Sequence, residues 1–183
     1  WNNKQPLTAC IYSFWKSEKE YQEFMEKVHD QIFVNSGQAN TYKSINVSLF
    51  EEKLSIPGFE DNIIAVIRKS NYIRIALSQV KEHKLKRFVE IQDKVWNPGM
   101  GKSKGMLGGT FATNQKQHNT FLVLTGWRSE SDHQNYMKEN FPELLKKAKP
   151  KDDVLELTGE QFKVEEAWRV LQPENRYAYK RSH

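Results

Sequence analysis

Cysteine is nearly absent from this chain, Cys10 being its one thiol in 183 residues. No internal disulfide framework can hold it, which fits a reducing, cytoplasmic setting. Long apolar runs are missing as well. The longest, Ile63–Ile67 and Phe121–Leu124, fall far short of the ~18 residues that a helical membrane span needs, so no membrane partner is expected. The start Trp1-Asn2-Asn3 lacks both a methionine and a basic-then-apolar leader, so no signal peptide is expected. With no element before Leu7, the sequence reads as beginning partway through a domain. Charge of one sign is also lacking: 28 Lys and Arg meet 23 Asp and Glu, a net +5. The basic clusters Lys81–Arg87 and Lys146–Lys151 are short and acids are interleaved elsewhere, so nucleic acid is not an expected partner. The five His and one Cys show no metal-ligand spacing. What is present is an ordinary globular balance, 38% hydrophobic and 28% charged. That excludes wholesale disorder and suits one sizeable domain or two small ones.

The chain also contains a repeat. Shifted by 112 positions, Thr8-Ala-Cys-Ile-Tyr-Ser-Phe-Trp15 lies over Thr120-Phe-Leu-Val-Leu-Thr-Gly-Trp127, and Lys16-Ser-Glu18 over Arg128-Ser-Glu130. Six positions between Thr8 and Ile32 are identical, without a gap. Thr8–Phe14 and Thr120–Thr125 have the length and β-branched or aromatic content of strands. Each ends at a Trp and meets a helix start, Ser17 with Glu20 and Ser129 with Asp132, where the hydroxyl can satisfy an orphan amide. Tyr21, Phe24, Met25, Val28 and Ile32 follow at helical spacing, as do His133, Tyr136, Met137 and Phe141. Pro142 predicts a break and a short restart through Leu144–Lys147.

Around the second copy the whole unit is readable. Asn71–Val80 predicts a strand, Leu85–Trp96 a helix stopped by Asn97-Pro98-Gly99, and Met106–Thr113 a second strand. Thr120–Trp127 predicts a third, followed by the helix just described and a last strand at Phe162–Leu171. The expected fold class is α+β, a β-α-β-β-α-β ferredoxin-like unit. The first copy shows only strand, helix and a closing strand at Thr41–Phe50. The expected organisation is therefore residues 1–70 as the C-terminal part of a first unit plus connector, and 71–183 as a complete second unit. Gly99, Gly101, Gly105, Gly108 and Gly109 predict a mobile flap leading into the second strand. Gly101-Lys102-Ser103 is not a phosphate loop, because Trp96 stands where the first Gly belongs and a helix, not a strand, precedes it.

A third strand closing on Trp, then a basic residue, Ser-Glu and a helix with a central aromatic, resembles the antibiotic biosynthesis monooxygenase-like domain. The residues are Val123-Leu-Thr-Gly-Trp127-Arg-Ser-Glu130 with Tyr136, and Ile11-Tyr-Ser-Phe-Trp15-Lys-Ser-Glu18 with Phe24. The tandem form, with Tyr21-x-x-Phe24-Met25 and His29-Asp30, is similar to an uncharacterised bacterial YdbC-type group. The resemblance implies an α+β barrel in which two sheets pack face to face, closed within one chain or in a homodimer. It implies a pocket between sheet and helices, and chemistry that ranges from cofactor-free oxidation of polyphenols to haem breakdown. Haem-degrading relatives need a Trp in the second helix and a His about ten residues later; here those places fall at Tyr136 and Lys146, and at Phe24 and Val34. No haem or other cofactor is expected.

Candidate site residues follow. Phe162, Val164, Glu166, Trp168 and Val170 share one face of the expected last strand, so Glu166 is a carboxylate in an apolar row and a candidate base, unless an edge, a bulge or an Arg such as Arg74 or Arg169 accounts for it. His133, in the first turn of its helix beside Tyr136, is a second candidate base. Trp127 and Trp168 would stack on an aromatic ring, with Trp15, Trp96 and Tyr136 as further lining, although a Trp closing each strand can also plug the corner. The expected function is a cofactor-independent monooxygenase-like protein acting on a small aromatic compound. The alternative is a non-catalytic small-ligand-binding or stress-response protein of the same fold.

Overall fold

Ser17 acts as its place before Glu20 predicts: its Oγ accepts the Glu20 amide at 3.2 Å and starts helix α1 (Glu18–Phe24). In the computed structural model, which describes residues 1–170, α1 runs through a π-helical turn at Met25–His29 into α2 (Asp30–Asn35). These helices belong to one of two compact units, Cys10–Leu49; the other joins Trp1–Ala9 to the chain from Phe50 onward. The strand expected at Thr8–Phe14 does not form, and neither does the one at Thr41–Phe50, where only Phe50 is in a strand. The physical reason is pairing. A strand needs a neighbour to receive its backbone groups, and the described part of Cys10–Leu49 contains no strand.

The larger unit is built on one antiparallel sheet. Its strands are β1 (Phe50–Ile56), β2 (Tyr72–Val80), β3 (Met106–Asn114), β4 (Thr120–Trp127) and β5 (Val154–Lys163), in the order β1-β3-β4-β2-β5. Helix α3 (Ile63–Lys69) links β1 to β2. Helix α4 (Leu85–Ile91) passes through a π-helical turn into α5 (Asn97–Gly101), while α6 (Glu130–Glu139) and α7 (Phe141–Ala148) lie between β4 and β5. Setting β1 and its linker aside, the order is β-α-β-β-α-β, a ferredoxin-like α+β fold. Alternation sends Tyr72, Ala76 and Val80 of β2 to one face with Phe111, Phe121, Val123 and Trp127. They form one core with Phe88, Met100, Tyr136 and Leu144 of the helices.

Several expectations need correction here. The helix does not stop at Asn97-Pro98-Gly99 but continues to Gly101; Pro98 sits in the first turn of α5, where its missing N–H costs nothing. Gly99 and Gly101 lie in that helix and Gly108 and Gly109 in β3, so they are not a flap. They are points of close approach: a Cβ on Gly99 would stand 2.2 Å from Leu144 Cδ2 of α7. The last strand is Val154–Lys163, not Phe162–Leu171, whose end lies outside the described residues. Its polar Glu156–Gln161 stretch is compatible with a strand because β5 is an edge, held by backbone pairing from Tyr72↔Lys163 to Val80↔Val154 rather than by burial.

Candidate functional site

In β4, Phe121, Val123, Thr125 and Trp127 point to the helix side, and Trp127 is fully buried. Its indole N–H donates to Thr125 Oγ1 at 3.0 Å, two residues back on the same face. The chain then turns through Arg128, and Ser129 Oγ accepts the Asp132 amide at 3.1 Å to start α6. His133 and Tyr136, three apart, project from α6 back onto the strand end. Trp127 meets His133 at 5.2 Å and Tyr136 at 5.1 Å between ring centroids, and Tyr72 of β2 meets His133 at 5.3 Å. Phe141 and then Trp96 extend this row of rings from Tyr136, at 6.0 and 5.6 Å.

His133 is 1% exposed, and neither ring nitrogen has a hydrogen-bond partner among the described residues. Burial, helped by the Arg74 cation and opposed by Glu130, pushes its pKa down to about 4. The imidazole is neutral at pH 7, with a lone pair and an N–H both unused. Arg74 occupies the helix-facing row of β2 between Tyr72 and Ala76, where desolvation lowers its pKa. Tyr136 and Tyr72 are both pushed up to about 12, chiefly by burial, so both phenols stay protonated. Tyr72 donates to Gln161 Oε1 at 2.7 Å and accepts from Asn3 Nδ2 at 2.9 Å.

The structure therefore brings together His133, Trp127, Tyr136 and, at the end of the row, Trp96. It does not bring in Glu166 or Trp168. The apolar row expected to hold Glu166 ends with β5 at Lys163; beyond it Glu166–Trp168 is a single 3₁₀ turn. The Glu166 side chain is 78% exposed, accepts from Arg169 Nε at 2.9 Å and forms an ion pair with Arg169 Nη2 at 2.9 Å, so the expectation of a buried carboxylate is corrected. Arg169 is the partner, as one sequence alternative foresaw. Trp168 is exposed and leans on Trp1 at 5.0 Å. Trp15 belongs to the Cys10–Leu49 unit, 38% exposed and packed on Tyr21 and Phe24.

Sequence reasoning missed the positions of Tyr72 and Arg74. The signal was available: Arg74 is a charge in the row Tyr72, Arg74, Ala76, the same argument that was applied to Glu166 in the wrong strand. A depression of about 550 Å³ lies outside this cluster, lined by Asn3, Glu130 and Lys163 among others. Asn3 connects the two, bonding Tyr72 Oη on one side and Glu130 Oε1 at 3.2 Å on the other. Among the described residues, no three His, Cys, Asp or Glu side chains are placed to hold a metal.

Comparison with solved structures decides the fold. A candidate monooxygenase of Fusobacterium nucleatum superimposes with a TM-score of 0.62 over 81% of this chain and 65% of that one, at 12% identity. The fold is monooxygenase-like. An anthrone oxidase-like protein matches with a TM-score of 0.59 at 11% identity, covering 81% of this chain and 68% of the other. A candidate monooxygenase of Lactobacillus acidophilus matches at 0.56 and 14% identity, over 80% and 65% of the two chains. At such identities the likeness concerns the fold. In sequence, residues 1–50 match a family described as a domain of unknown function, DUF4937. The uncharacterised protein YdbC of Bacillus subtilis is 42% identical over 48 residues, 26% of this chain. The match spans 40% of that relative's length, and the resemblance to the YdbC-type group holds at that level.

Proposed function

We propose that this protein is a cofactor-independent monooxygenase-like enzyme acting on a small aromatic compound, with His133 as the proton acceptor. The observation that carries this reading is the His133 imidazole, neutral and without a partner, walled by Tyr72, Trp127 and Tyr136 beside the Arg74 cation. A base whose conjugate acid has a pKa of about 4 is weak by itself. Arg74 compensates, because a cation placed where negative charge develops stabilises a phenolate or enolate as it forms. Trp127 and Tyr136 offer ring faces for an aromatic substrate. On an anthrone the balance is simple: the anion formed at the ring methylene reduces dioxygen, that carbon becomes a carbonyl, and the second oxygen leaves as water with the two methylene hydrogens.

A second reading is favoured by one specific feature. Trp127 and His133 are at most 1% exposed, and the depression outside them is separated by the Tyr72–Asn3 hydrogen bond. A filled cluster of this kind suits a non-catalytic small-ligand-binding or stress-response protein that opens only on binding. Oxygen uptake by the full-length protein with anthrones, naphthols and hydroquinones separates the two. Uptake that His133→Phe abolishes and Glu166→Gln preserves establishes the enzyme and its base. No uptake, with saturable quenching of tryptophan fluorescence, establishes the binding protein.

The proposal includes a cytoplasmic setting and barrel assembly, within one chain built of two tandem units or in a homodimer. Support for assembly comes from the sheet face opposite Trp127, where Ile75 and Leu122 are half-buried and Leu77 is 39% exposed. Sedimentation of the full-length protein tests it; a monomer whose excised second unit is equally stable alone would remove the barrel.

A further inference from the structure

Arg74 differs from Arg87, Arg128 and Arg169. Arg87 holds Asp153 and Arg169 holds Glu166. Arg128 lies over the Phe59 ring at 4.9 Å. Arg74 has no ion pair and no hydrogen bond among the described residues, and the groups that feel its charge are His133 and Tyr136. Arg74 is half-buried, and a guanidinium so placed without an acid is a charge that a ligand anion can balance. Arg74 shares the helix-facing row of β2 with Tyr72, whose ring lies 5.3 Å from that of His133, and both nitrogens of His133 are a second unmet demand. One ligand group can answer both. A carboxylate accepts two N–H bonds from the guanidinium fork and a third from the imidazole N–H.

We infer that Arg74 and His133 form an acid-binding subsite, and that the ligand of this protein is a small aromatic carboxylate whose ring lies against Trp127 and Tyr136. The neighbouring strand makes room for it. In β5 the residue paired with Ala76 is Gly159, and a Cβ there would stand 3.7 Å from Arg74 Nη2, closing the space beside the guanidinium. Tyr136 and Tyr72, held as neutral phenols, do not compete for the cation as anions would. The neutral imidazole likewise adds no second positive charge; it supplies a donor that orients the carboxylate.

This inference rests on the reading above only for the location of the ring cluster, and it is tested by binding rather than by turnover. Salicylate and its uncharged counterpart salicylamide are titrated into the full-length protein while tryptophan fluorescence and the thermal midpoint are followed. Salicylate is expected to saturate, with salicylamide at least about tenfold weaker. Arg74→Met is expected to lose the preference for the acid and, because an unpaired, half-buried charge has been removed, to melt at the same or a higher temperature without ligand. Arg74→Lys, which keeps charge but not the fork, falls between. Equal binding of acid and amide overturns the inference, as does unchanged binding by Arg74→Met or the absence of saturable salicylate binding. A ligand-free Arg74→Met protein that melts well below the parent also overturns it, since Arg74 would then be a structural cation. Failure of oxygen uptake leaves it standing.

Discussion

The same sequence pattern occurs at Trp15 and at Trp127, and the two environments differ in one respect. Locally they agree closely. Trp15 Nε1 donates to Ser13 Oγ at 3.0 Å and Trp127 Nε1 to Thr125 Oγ1 at 3.0 Å. Trp15 packs on Tyr21 and Phe24 at 5.6 and 5.0 Å; Trp127 packs on His133 and Tyr136, the corresponding positions, at 5.2 and 5.1 Å. Ser17 and Ser129 cap their helices alike. Yet Trp15 is 38% exposed and Trp127 is not exposed at all. The strand before Trp127 is paired on both sides, whereas the segment before Trp15 is not a strand. Short-range sequence builds the corner of rings in both places, and only a paired sheet buries it. Only burial strips His133 of water and partners, so the candidate chemistry belongs to the second copy.

The largest effect should come from the tryptophans themselves. Trp127→Ala is expected to cost about 3–5 kcal/mol, and Trp15→Ala about 1 kcal/mol or less, in urea unfolding followed by far-ultraviolet circular dichroism. Equal losses would break the comparison. Next comes pH. With a folded pKa of about 4 against ~6.5 unfolded, the unfolded chain binds the proton that folded His133 refuses. This contribution is fully present above pH 6.5 and is lost as pH falls toward about 4, by up to about 3 kcal/mol. His133→Phe should flatten that slope, while Tyr21→His, at the half-buried counterpart, should add a smaller one. Gly126 is the third point, because its counterpart in the first copy is the exposed Phe14. A Cβ at Gly126 would stand 2.1 Å from Ser70 Oγ and 2.5 Å from Val66 Cγ1. Gly126→Ala should therefore cost about 1–3 kcal/mol, read as a shift in thermal midpoint, whereas Phe14→Ala should be near neutral. The smallest effect should be the same in both copies: Ser129→Ala and Ser17→Ala each remove one helix cap, worth about 1 kcal/mol. Helix content on heating should report it, and a much larger loss at Ser129 would mean that the cap is coupled to the ring cluster.

Features set within a few residues were readable in the sequence. The serine caps, the Trp–helix corners and the placement of His133 beside Tyr136 all follow from spacing alone. The sequence argument failed where an element's state depends on a distant partner. Thr8–Phe14 has strand composition but no ladder, and β5 is a strand despite its polar face because the exposed edge of β2 receives it. Misplacing β5 put Glu166 in an apolar row that does not exist. It also concealed Arg74, whose row on β2 was readable but whose isolation was not. That a cation has no acid beside it depends on everything else that packs nearby.

Composition and local pattern were thus enough to specify an α+β chain with a ferredoxin-like unit, its helix starts and its aromatic corners, because caps and alternation act over distances of one to four residues. Which strands pair, which Trp is buried, and whether an imidazole and a guanidinium are left without partners depend on contacts between residues such as Tyr72, Trp127 and Gln161 that are far apart in the chain. Those contacts exist only once the sheet has closed over them.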